Sequence, residues 1–68
     1  MANMQLLRSK IDSTGISVTF LAAAMGITRE TLHNKLAGKS EFKASEITSL
    51  GALLHMDRAE RDAIFFGD

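Results

Sequence analysis

The chain contains no cysteine, no proline, no tryptophan and no tyrosine, and each absence narrows what it can be. Without cysteine there is neither a disulfide framework nor a thiolate zinc site to support a small core, and a cytoplasmic setting is expected. Without proline, helix boundaries have to come from glycine and from capping residues. An excess of one charge is also missing: eight Lys and Arg balance eight Asp and Glu, so the whole chain offers no cationic field to a polyanion. Long apolar runs are absent too. The stretch Met1-Ala-Asn-Met-Gln-Leu-Leu-Arg-Ser-Lys10 mixes charge among its leucines and fits neither a secretory leader nor a membrane span. His33 and His55 stand far apart with no cysteine or carboxylate cluster beside them, so no metal is expected. No Ser-His-Asp arrangement and no phosphate-cradling glycine loop occurs, which argues against an enzyme, a cofactor or a small-molecule substrate.

What is present describes one small globular domain. Sixty-eight residues, 46% of them hydrophobic and 24% charged, are too apolar for a disordered tail. A chain this short buries only ~60% of its unfolded surface, so its packing has to be efficient. The charges are also unevenly placed. In residues 1–43, six cations (Arg8, Lys10, Arg29, Lys35, Lys39, Lys43) face three anions (Asp12, Glu30, Glu41), a net +3. In residues 44–68, two cations (Arg58, Arg61) face five anions (Glu46, Asp57, Glu60, Asp62, Asp68), a net −3. A basic half joined to an acidic half is an electrostatic footprint for nucleic acid, though weaker than an overall basic chain.

Apolar spacing divides the chain into helices. Met4, Leu7 and Ile11 mark a first amphipathic helix that stops near Ser13-Thr14-Gly15. Ser17 caps a second, through Phe20-Leu-Ala-Ala-Ala-Met25, and Gly26 ends it. Thr28 caps a third, with Glu30 in its first turn, Leu32 and Leu36 as its buried stripe and Gly38 closing it. Lys39–Lys43 is a polar loop anchored by Phe42. Ile47, Leu50, Gly51 and Leu54 define a fourth helix, widened by Leu53. Asp57 and Glu60 have capping-box spacing before a last helix that runs into Ile64-Phe-Phe66. No segment alternates long enough for a strand. The expected fold is an all-α, compact bundle of five short helices.

Within it, Ser17–Gly38 meets the mechanical requirements of a helix-turn-helix. Ala22 lies four residues before Gly26, where the helices cross closely and a larger side chain would clash. Gly26 falls where the chain reverses with positive φ. Ile27 plugs the turn into the core, and Leu21, Met25, Leu32 and Leu36 supply packing that sets the interhelix angle.

The run Ile16-Ser-Val-Thr-Phe-Leu-Ala-Ala-Ala-Met-Gly-Ile-Thr-Arg-Glu-Thr-Leu-His-Asn-Lys-Leu-Ala-Gly-Lys39 resembles the Cro/C1, phage repressor-like helix-turn-helix family. The continuation Ser40-Glu-Phe-Lys-Ala-Ser-Glu-Ile47 is similar to small prophage-encoded members. The resemblance implies a lambda-repressor-like DNA-binding domain, a transcriptional regulator whose third helix enters the major groove. It further implies a homodimer on a palindromic operator in double-stranded DNA. Two positions depart from the pattern. Val18 stands where the family often has a phosphate-binding Gln, leaving that work to Ser17 or the helix amides. Lys35 stands where an apolar residue is usual.

Carried over position by position, the resemblance implies base contacts from Arg29, Glu30, His33 and Asn34, with Thr28 near the backbone. Arg29 suits a guanine and Asn34 an adenine. Glu30 has two readings, accepting from a cytosine amino group or complementing the helix dipole. His33 is either a contact or plain solvated surface. Lys35, Lys39 and Lys43 suit phosphates, with a solvated loop as the alternative. One of Phe65 and Phe66 completes the core; the other leaves an apolar patch available to a dimer. A competing function is a protein-interaction module, an adaptor or antirepressor that keeps the fold without binding DNA.

Overall fold

The computed structural model describes residues 2–67. The first three helices begin and end where local chemistry dictates. α1 (Met4–Thr14) starts at Asn3, whose side chain accepts from the Leu6 N–H at 3.1 Å, and stops at Gly15, φ +76°. α2 (Val18–Met25) starts at Ser17, whose Oγ accepts from the Phe20 N–H at 3.1 Å. It ends at Gly26, φ +74°, after which the Ile27 N–H donates to the Ala22 carbonyl at 3.0 Å. In this left-handed cap a β-carbon would be strained, so glycine is the fitting residue. α3 (Arg29–Leu36) starts at Thr28, which accepts from the Thr31 N–H at 3.0 Å. Gly38, φ +81°, closes it, while the Lys39 N–H returns to the Asn34 carbonyl at 2.9 Å.

The last two helices use less obvious devices. α4 (Ala44–Leu53) has no Ser, Thr, Asp or Asn at its entry; instead Glu46 reaches back and accepts from the Lys43 N–H at 2.8 Å. It ends without glycine. His55 takes φ +54°, and the Met56 N–H donates to the Gly51 carbonyl at 2.9 Å. α5 (Arg58–Phe65) opens with the expected reciprocal box. The Glu60 N–H donates to Asp57 Oδ1 at 2.8 Å, and the Asp57 N–H donates to Glu60 Oε1 at 3.2 Å.

Packing joins α2 to α3 and α4, α1 to α3 and α5, and α4 to α5. Leu7, Leu21, Leu32, Leu50 and Leu54 are fully buried at the centre, each worth ~1.5–3 kcal/mol in transfer from water. Ile11, Ala22, Leu36, Ile64 and Phe65 complete the core, and Met25, Ile27, Phe42 and Ile47 pack against it half-buried. Ala22 is buried, and its carbonyl is the one that accepts from the Ile27 N–H in the turn to α3. Phe42 anchors the loop through an edge-to-face contact with Phe65, ring centroids 5.6 Å apart. Of the adjacent phenylalanines, Phe65 is the buried one and Phe66 is 64% exposed. Among the described residues there is no strand, and no helix is long and apolar enough to cross a membrane.

Candidate nucleic-acid interface

α3 has two faces, and its sequence explains both. Leu32, Lys35 and Leu36 are buried, the first and last because they meet the leucine core. Arg29, Glu30 and His33 are exposed and Asn34 is half-buried. At ~100° per residue these four fall within roughly 140° of the helix circumference, and they span ~7.5 Å along its axis. That face carries two cationic or imidazole groups, one carboxylate and one amide. Together they provide donors and acceptors of the kinds that recognise base edges.

The segments before and after α3 carry further polar groups. Ser17 is exposed at the start of α2; its oxygen already accepts from Phe20, leaving the hydroxyl proton to donate outward. Thr28 is more committed than expected. Its Oγ1 accepts from the Thr31 N–H and donates to Thr31 Oγ1 at 2.8 Å, so the hydroxyl proton left over belongs to Thr31. Lys39 and Lys43 are exposed on the loop after α3. Neither they nor Arg29 form an ion pair among the described residues.

Lys35 departs from the expectation of a phosphate contact. Its side chain is only 8% exposed and its ammonium is turned inward, 3.1 Å from Glu46 Oε1 and donating to the Glu41 carbonyl at 2.9 Å. The ring of Phe42 lies 5.8 Å from the same nitrogen. A phosphate at this position would have to pull the lysine out of that pair. The physical reason is helical register: Lys35 shares a face with Leu32 and Leu36, three positions before it and one after. Glu46 answers the buried charge. Burial pushes its carboxyl up, but the Lys43 N–H and then the Lys35 ammonium outweigh burial and hold its pKa below the ordinary carboxylate value.

This pair, with Lys10–Glu60 at 2.7 Å, changes the electrostatic picture. Both bridges join a cation of the basic half to an anion of the acidic half. Two of the six cations in residues 1–43 are therefore answered within the chain. Of the cations on α3 and the loop after it, Arg29, Lys39 and Lys43 are left outside both bridges. Sequence reasoning missed Glu46 as a partner; the signal was Lys35 itself, a charge inside an apolar stripe. Phe20, 57% exposed on α2, was likewise assigned no role.

A separate open groove of about 470 Å³ is lined by Met4, Phe42, Ile47, Phe65 and Phe66, with Lys35 at its wall. None of the outward residues of α3 lines it. Among the described residues no group of three His, Asp or Glu is placed to hold a metal ion. No family model, curated protein or solved structure matches the chain.

Proposed function

We propose that α2 and α3 form a helix-turn-helix that reads double-stranded DNA, in a small transcriptional regulator of the Cro/C1 type with a lambda-repressor-like fold. The observation that carries the reading is the outward face of α3, where Arg29, Glu30, His33 and Asn34 stand together while Leu32, Lys35 and Leu36 hold the opposite face in the core. In this reading α3 enters the major groove, Arg29 and Asn34 supply base contacts, and Glu30 and His33 line the same edge. Ser17, Thr28 with Thr31, Lys39 and Lys43 reach phosphates, which fix register without reading sequence. Lys35 leaves the phosphate set.

The size of the domain suits a dimer on a palindromic site. Its principal extents are 28 × 23 × 20 Å, shorter than the ~34 Å that separates successive major-groove faces on one side of the duplex. Two copies can therefore sit side by side without overlap. Selection from random duplexes by the purified protein tests the reading, and the expected result is a palindromic enriched sequence. With Lys39 and Lys43 on phosphates and Arg29 in the groove, about two to three cations per subunit, the log–log salt slope per subunit should be roughly −1.8 to −2.7.

The second reading, a protein-interaction module, is favoured by one observation: Lys10 and Lys35 spend their charge inside the chain. It predicts no enrichment in the same selection and a flat response to salt.

A further inference from the structure

The loop between α3 and α4 is exposed at Lys39, Ser40, Glu41 and Lys43, yet it is tied down at three backbone positions. The Lys39 N–H donates to the Asn34 carbonyl at 2.9 Å. The Glu41 carbonyl accepts from Lys35 Nζ at 2.9 Å. The Lys43 N–H donates to Glu46 Oε1 at 2.8 Å, the same oxygen that meets Lys35 at 3.1 Å. Apart from the Phe42 ring, the second half of the loop is thus held through one ion pair, with side chains 8% and 11% exposed.

We propose that Lys35 and Glu46 are positioning residues for DNA binding: their pair fixes the second half of the loop, and with it Lys43, though neither paired residue touches DNA. The inference rests on the DNA reading above. An apolar pair would fill the same space, and a buried ion pair gains little stability over one. What an apolar pair would lack is direction. The ammonium bonds the Glu41 carbonyl and the carboxylate at once, and the carboxylate also holds the Lys43 amide, which no apolar pair can do. A loop ordered before binding avoids the cost of ordering the Lys43 segment on the duplex.

Lys35→Met alone strands a buried carboxylate and risks unfolding, so the main probe is Lys35→Met with Glu46→Leu. This double variant removes both charges, fills the space with apolar groups and leaves the exposed Lys43 segment without its acceptor. Circular dichroism at the titration temperature confirms that it is folded. Fluorescence anisotropy then measures its affinity, over a range of salt, for the duplex that the wild type enriches. The expected result is at least tenfold weaker binding with a salt slope shallower by about 0.9, the share of one lost phosphate contact. A merely less stable but correctly built domain keeps the wild-type slope, so an unchanged slope in the folded variant overturns the inference and leaves the DNA reading intact. No binding of any duplex by the wild type removes both. Amide exchange on the wild type needs no variant: the Lys43 N–H should exchange at least tenfold more slowly than that of Ser40, and equal rates overturn the fixed loop.

Discussion

Lys10 on α1 and Glu60 on α5 meet at 2.7 Å, fifty positions apart in the chain, and the same carboxylate caps the helix that carries it by accepting from the Asp57 N–H. The Lys10 ammonium first, and then that N–H, hold the Glu60 pKa below its ordinary value. Glu46 is held low as well. A carboxyl with a lower pKa in the folded chain makes the unfolded chain bind more protons on acidification. The stability from both groups is therefore complete above the ordinary carboxylate range and is lost as pH falls through the folded values. Urea-unfolding midpoints should drop as pH is lowered through that range. Glu46→Gln should flatten the dependence more than Glu60→Gln, because Glu60 is the more exposed and the better screened. Midpoints that ignore pH would contradict both assignments.

Gly51 is buried in α4, and a β-carbon built there would lie 3.7 Å from Cδ of Arg61, an ordinary contact distance. Its φ lies outside the left-handed region, so no backbone geometry requires glycine. Gly51→Ala should stabilise the domain by about 0.5–1 kcal/mol through reduced backbone entropy in the unfolded chain. A rise of several degrees in the thermal midpoint is expected for a domain of this size, and a fall would show that α4 and α5 pack more tightly than this distance allows.

His55 closes α4 in the left-handed region at φ +54°, where a side chain costs ~1–2 kcal/mol and glycine costs little. His55→Gly should therefore raise stability by about 0.5–1 kcal/mol, and His55→Val should lower it, since a branched β-carbon suits this conformation least. Gly26→Ala, in the same conformation, should cost about 1 kcal/mol or more. Chemical denaturation of the three variants orders them directly.

The contrast between Gly26 and His55 shows what was legible in the sequence. Gly15, Ser17, Gly26, Thr28, Gly38 and the Asp57–Glu60 box act within three or four residues of themselves, so residue type and spacing were enough to place them. The end of α4 was hidden because histidine gives no breaker signal. Its beginning was hidden because Glu46 caps from inside the helix. Lys35 was misread for a different reason. Its burial depends on Glu46, on another helix, and a partner that the fold supplies cannot be read from local spacing. The choice between Phe65 and Phe66 was open on the same ground: adjacent helical positions point about 100° apart, and only the packed neighbours decide which turns inward. The outward face of α3 was legible, since its residues lie opposite the Leu32–Leu36 stripe.

Among the described residues Phe66 is the large apolar side chain most exposed to water, and it borders the groove formed with Met4, Phe42 and Ile47. If the dimer proposed on DNA uses this patch, Phe66→Ser should weaken self-association while leaving the unfolding free energy of the monomer within about 0.5 kcal/mol of wild type. Sedimentation velocity over a range of concentrations would measure this. A dimer that survives Phe66→Ser must use another surface.

Arg29 and Lys39 should separate reading from holding. Arg29 projects from the first turn of α3, where a guanidinium can meet both acceptors of one guanine, while Lys39 lies on the loop with a flexible point charge suited to phosphate. Arg29→Ala should cost ~1–3 kcal/mol on the enriched duplex and much less on a duplex changed at the contacted base pair, which relaxes preference there. Asn34→Ala should do the same at a neighbouring pair. Lys39→Ala should weaken every duplex about equally and make the salt slope shallower by about one. Since Lys35 is already spent on Glu46, Lys35→Ala should show neither pattern alone: its first effect should be on folding stability, read by denaturation before any DNA is added. If Arg29→Ala lost affinity equally on all duplexes, as expected for Lys39→Ala, the guanidinium would be a phosphate contact and the reading edge of α3 would start at Glu30.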